Sequence, residues 1–127
     1  MLASRLVTTT TNTAVPGAIA AGALAFGAAG ILAPKVLLGV YGLPATPPVR
    51  FLARLWGTRT AVLGALYLAS PSEDSRRRML VAEVALNAAD AAIAAAAPGI
   101  PLRARVMAAL TSAGFAGAGV AVLAGAV

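Results

Sequence analysis

The chain has 127 residues, of which 60% are hydrophobic and 11% charged, with a net charge of +6. A soluble domain carries about 25% charged residues, so this set does not furnish a water-facing surface, and its apolar richness excludes disorder. There is no Cys and no His, which removes disulfides, the usual zinc and haem ligands, and nucleophile–base pairs built on either residue. No metal and no cofactor is expected.

The first apolar run covers residues 14–33 and is uncharged, about the length that crosses a bilayer core. Thr13 stands where an N-cap belongs and Pro16 in the first turn, and Pro34 and Lys35 end the run. It exceeds the roughly 7–15 residues of a secretory signal's apolar region, and a Thr-rich polar stretch precedes it, so a retained helix is expected. Residues 36–41 read as a short interfacial helix stopped by Gly42 and Pro44.

The second run, residues 49–69, has Thr46 as candidate cap, Pro47 and Pro48 at its start and Ser70-Pro71 at its end. The third, residues 73–97, opens on Ser72 as N-cap, with Glu73 and Asp74 on the positive end of the helix dipole, and closes at Pro98-Gly99. The fourth covers residues 102–126. Short connections make neighbours antiparallel. The expected fold is all-α: one domain over residues 1–127, an up-down-up-down bundle of four transmembrane helices in an integral membrane protein.

The bases stand between apolar runs and aromatics amount to 5%, so anionic lipid headgroups, and not nucleic acid, are the expected partner. Arg5 and Arg76 to Arg78 would lie on one side of the membrane, and Lys35, Arg50, Arg54, Arg103 and Arg105 on the other. That near-balance sets no orientation. The cations at helix ends read as headgroup anchors, and Glu73–Arg77 and Asp74–Arg78 as i,i+4 pairs. With 34 Ala and 13 Gly, the spacings Gly17/Ala21, Gly22/Phe26/Gly30 and Gly117/Ala121 let helices approach closely, a homo-oligomer being among the arrangements they allow. The Gly-rich run 114–119 lacks the preceding strand and the Lys-Ser/Thr of a phosphate loop.

The informative residues are those that cost free energy in lipid. Arg59 stands in the middle of the second run. Glu83, Asn87 and Asp90 follow at i, i+4 and i+7 in the third, one polar stripe continued by Ala94, with Val81, Val84, Leu86 and Ile93 on the other faces. A mid-membrane acid costs about 2.5–3.5 kcal/mol against a return of about 0.3–0.6 per Leu or Val. The third segment therefore inserts poorly alone, and its stripe needs protein, water or a counter-charge. Arg59 is predicted to pair with Asp90 or Glu83. Glu83 has a second option near the headgroups, beside Arg76. Trp56, Arg59, Leu63 and Tyr67 share a face, so Trp56 and Tyr67 either offer an indole N–H and a phenol to a pocket or stand in the interfacial aromatic belt.

Ala33-Pro34, Tyr41-Gly42-Leu43-Pro44, Phe51-Leu52-Ala53-Arg54, Gly57-Thr58-Arg59 and Ala89-Asp90, in that order across residues 25–95, resemble the DoxX-like proteins, small bacterial four-helix membrane proteins without a settled activity. Thr60 follows the arginine where that family carries Asp, and there is no His early in the last helix. The resemblance implies a polar core in a four-helix bundle of the bacterial inner (plasma) membrane. More distantly, inward acids in a four-helix core resemble membrane isomerases and terpene cyclases of the emopamil-binding type. That likeness implies an acid–base enzyme, isomerase or cyclase, for a small lipophilic substrate, with Asp90 as acid, Glu83 as second acid or base, and Arg59, Asn87, Trp56 and Tyr67 on the substrate. The alternative is a non-catalytic membrane protein, a lipophilic-molecule binder or helper subunit, whose Arg–Asp pair is structural. A third reading is a proton-coupled transporter component.

Overall fold

The computed structural model describes residues 14–127; Arg5 and the Thr13 cap lie outside the described residues. These residues form five helices: α1 (Ala14–Leu32), α2 (Pro34–Tyr41), α3 (Pro47–Ala69), α4 (Glu73–Ala96) and α5 (Leu102–Leu123). Three of them, α1, α4 and α5, are long and apolar enough to cross a membrane. Of the four expected spans, these three meet the requirement by length and composition. With 23 residues α3 has the length, but Arg50, Arg54 and Arg59 lower its apolarity.

The helix ends follow local chemistry. Pro34 starts α2 two residues earlier than expected, because its fixed φ and missing N–H suit a first turn. Gly42, at φ 70°, ends α2 in the left-handed conformation, and the Leu43 N–H reaches the Leu38 carbonyl at 2.9 Å. Pro47 and Pro48 are inside α3, and Thr46 takes the cap position without a side-chain cap bond. Ser72 caps α4 by accepting from the Ser75 N–H at 3.1 Å. Of the two expected i,i+4 pairs, Asp74–Arg78 forms at 2.7 Å, while Arg77 donates to the Leu123 carbonyl at 3.5 Å and not to Glu73. The last helix stops at Leu123, short of the expected residue 126, with Gly125 beyond it at φ 69°.

Most of the buried positions are small and most of the large apolar side chains point outward, Leu38, Tyr41, Tyr67 and Leu80 being the large residues that are buried. The small buried positions are held by Ala20, Ala23, Ala53 and Ala104, with Gly27, Gly30, Gly57, Gly64 and Gly119 between them. Leu52, Leu55, Leu66, Val81, Ile93 and Leu110 point outward and are at least half exposed. Where the surroundings are hydrocarbon, outward Leu and Val lose nothing, and close backbone approach supplies the helix–helix contact.

The helices associate as two pairs. One is α1 with α3, the other α4 with α5, and contacts between the pairs are sparse. The α1–α3 seam is nearly bare backbone. A Cβ added at Gly57 would stand 2.7 Å from the Gly27 carbonyl oxygen and 3.0 Å from the Gly30 Cα. A Cβ at Gly64 would stand 2.8 Å from the Ala20 carbonyl oxygen. The spacings that matter are thus Ala20, Ala23, Gly27 and Gly30 against Gly57 and Gly64. Gly17 and Gly117, prominent in the sequence pattern, face open space, because they stand off the contacting face.

A few polar bridges reach across the molecule, two of them between α2 and α5. Tyr41 Oη and Thr111 Oγ1 share a hydrogen bond of 2.9 Å, and Arg103 donates to the Val40 carbonyl at 3.1 Å. Burial raises the Tyr41 hydroxyl's pKa above the ordinary tyrosine value, and the Thr111 hydrogen bond opposes that shift. The third bridge is an ion pair between α3 and α4.

Candidate functional site

The stripe on α4 turns inward. Leu80 and Glu83 are buried, Asn87, Asp90 and Ala94 half-buried, and Val81 and Ile93 exposed. The i, i+4, i+7 spacing produces this, since those positions share a helical face. Arg59, in the middle of α3, meets Asp90 in a two-pronged ion pair: Nη2 contacts Oδ2, and Nη1 donates to Oδ1 at 3.5 Å. The two side chains keep 40% and 24% of their exposure, so the pair sits at the mouth between the helix pairs and not in the interior.

Glu83 is different. It lies ten residues into α4, about 15 Å from the helix start and near its midpoint, whereas Asp90 lies about 10 Å further on. Only 7% of Glu83 is exposed. Among the described residues its carboxyl makes no ion pair and no hydrogen bond, so the option beside Arg76 is not taken. It lines a cavity of about 30 Å³ where all four long helices meet.

The cavity wall combines aromatic rings with hydroxyl groups. From α1 come Ala23 and Phe26, from α3 Trp56, Arg59, Thr60 and Leu63, from α4 Glu83, Leu86 and Asn87, and from α5 Thr111, Ser112 and Phe115. Phe26 and Trp56 meet edge to face, their ring centroids 4.7 Å apart at 86°. Phe115 enters against Gly22, where a Cβ would be 3.7 Å from the ring. Thr60 and Thr111 donate to carbonyls one turn back, at 2.9 and 2.8 Å, and Asn87 Nδ2 donates to the Glu83 backbone carbonyl at 3.0 Å. Ser112 is 5% exposed, and its hydroxyl makes no hydrogen bond among the described residues.

Of the residues singled out in the sequence, Trp56, Arg59, Glu83 and Asn87 come together around this cavity. Asp90 and Tyr67 do not line it. Asp90 is taken up by Arg59 at the mouth. Tyr67 lies two turns beyond Arg59 and packs with Ala20 and Leu80 in a small apolar cluster. Sequence reasoning missed Phe26, Phe115, Thr111 and Ser112. Each is an isolated aromatic or hydroxyl in an Ala/Gly-rich helix, where periodicity carries no signal. Comparison with family models, with curated proteins and with solved structures returns no match to this chain.

The chemistry available is that of one carboxyl group among aromatic rings, a carboxamide and a free hydroxyl. An unpartnered carboxylate in apolar surroundings costs several kcal/mol. A bound group that supplies hydrogen bonds or positive charge offsets that cost.

Proposed function

We propose that the chain is a small integral membrane protein of the bacterial inner membrane, of the DoxX-like kind, with α1, α3, α4 and α5 as spanning helices, and that it binds a small lipophilic molecule between its two helix pairs. The observation that carries this reading is the Glu83 carboxyl, buried and unpartnered on the wall of a cavity at mid-helix depth. Intramembrane ionisable groups of this sort mark sites.

Arg59–Asp90 is a structural clamp in this reading. It ties α3 to α4 where little else does, and the other cations face anionic headgroups. The clamp also bears on the acid–base enzyme. A two-carboxylate isomerase or cyclase needs a second free carboxyl, and Asp90 is committed to Arg59. A transporter component needs a continuous polar path, and the stripe on α4 leads from Asp90 to a single cavity wall at Glu83 and Asn87. Binding without turnover is therefore the reading the geometry supports best.

Trp56 is the chain's single tryptophan and lines the cavity, so its fluorescence reports occupancy. Titrating the detergent-purified chain with octyl compounds of different head groups should give a saturable change in Trp56 emission with at least one of them. Ser112→Phe, which fills the cavity, should abolish saturation. A signal that grows only linearly with every compound, as simple micelle partition would give, overturns the binding reading.

A further inference from the structure

The site just described recognises a charge type, which follows from its composition. Its wall carries one uncommitted charge, the Glu83 carboxyl. Arg59 also touches the cavity, but both its terminal nitrogens are directed to Asp90. An anionic head would therefore meet an unpaired carboxylate, and a neutral head would offer it a hydrogen bond but no counter-charge.

The rest of the wall fits a cation with N–H groups. Phe26, Trp56 and Phe115 line the same cavity as Glu83, and aromatic rings attract ammonium groups by about 0.5–2 kcal/mol each where a ring face is presented and water is excluded. Three rings are poor company for a hard metal ion, which takes six or more oxygen ligands. An ammonium needs only a few acceptors, and the Glu83 carboxyl, the Ser112 hydroxyl and the Asn87 carboxamide oxygen are of that kind.

Size narrows the head group further. A water-sized group needs about 10–15 Å³ of such cavity space, so about 30 Å³ admits roughly two heavy atoms. The enclosed part of the ligand is thus an ammonium nitrogen with its first carbon. Leu63 and Leu86, half-buried on the wall, offer an apolar way out between α3 and α4 for the remainder.

We infer that the cavity at Glu83 binds the ammonium head of a lipophilic primary amine, with Glu83 as its counter-ion, the Phe26, Trp56 and Phe115 rings around it, and its alkyl chain leading out between α3 and α4 toward lipid. This inference rests on the binding reading above and names the ligand class for the same site.

The test uses the full-length chain in detergent with three probes of equal tail length: octylamine at a pH where it is protonated, octanol and octanoate. Octylamine should change Trp56 emission saturably, with an affinity at least tenfold above that of octanol, and octanoate should give no saturation. Glu83→Gln should bring octylamine down to the octanol level, while Glu83→Asp, which keeps the charge, should retain part of the preference. Should Glu83→Gln fail to fold, the head-group series on the native chain still decides. Octanol binding as tightly as octylamine, or octylamine binding undiminished in a folded Glu83→Gln, overturns the ammonium inference and leaves the binding reading standing. Saturation with none of the three overturns both.

Discussion

The two seams of this molecule differ in kind. Between α1 and α3 the chain sets glycine on glycine, and the helices touch through backbone: Gly57 has no room for a Cβ against Gly27 and Gly30. Between the two helix pairs, where α3 faces α4 and α1 faces α5, contact is sparse; the Arg59–Asp90 ion pair crosses from α3 to α4, and Tyr41 of α2 bonds to Thr111 of α5. The first seam is dry, close and uniform. The second is held at a few points and leaves a cavity with a buried acid in it. A fold built from Ala and Gly has little apolar volume to place between helices, so it either brings backbones into contact or encloses space. The contrast assigns scaffold to the first seam and binding to the second.

Adding bulk to the dry seam should have the largest effect. In Gly27→Val the new side chain would start 2.6 Å from the Ala61 backbone nitrogen and the Gly57 carbonyl oxygen, and backbone cannot rotate aside. Overpacking costs about 1–3 kcal/mol and occasionally more; here we expect loss of the folded monomer in size-exclusion chromatography. The milder Gly57→Ala should lower Tm by roughly 5–15 °C, taking 1–3 kcal/mol at about 5 °C each.

Next in size is the clamp of the second seam. Arg59→Leu leaves Asp90 without its partner, a loss of about 2 kcal/mol given the pair's partial exposure. Arg59→Leu combined with Asp90→Leu should recover most of it, and a double-mutant cycle on thermal unfolding measures the coupling. Additive single effects would mean that the two residues do not depend on each other.

A smaller loss is expected at the Tyr41–Thr111 bridge. Tyr41→Phe removes one hydrogen bond, about 0.5–1.5 kcal/mol. The folded Tyr41 pKa is raised by burial, so its contribution to stability is complete below the unfolded tyrosine pKa and declines as pH rises from there through the folded value. Tyr41→Phe should flatten that alkaline decline in a Tm–pH series. Least affected should be Gly117→Ala: with open space around Gly117, the change should stay within about 0.5 kcal/mol. A loss there as large as at Gly57 would contradict the assignment of the dry seam.

Much of the second seam was legible in the sequence, and little of the first. The Glu83–Asn87–Asp90 stripe announces itself, because charge on an apolar helix is costly and a helical period orients it. Arg59 follows as the basic residue deep in another helix. Which acid Arg59 takes was not legible: Glu83 and Asp90 are two turns apart on one face, and a flexible arginine reaches either. Nor was the pairing of α1 with α3. Short connections suggest that consecutive helices lie together, yet α3 and α4, joined by residues 70–72, touch little. Gly27, Gly30 and Gly57 are indistinguishable by composition from Gly17 and Gly117, which face nothing. Phe26 and Phe115 acquire their role only when two helices bring their rings beside a carboxyl from a third.

The most direct measurement compares the thermal stability of two isosteric variants, Glu83→Gln and Asp90→Asn, in the same detergent at neutral pH and without ligand. Opposite signs are expected: Asp90→Asn lowers Tm because an ion pair is lost, and Glu83→Gln raises it because an unpartnered acid is removed from the interior. Two shifts of the same sign would contradict the division of labour between the clamp and the cavity.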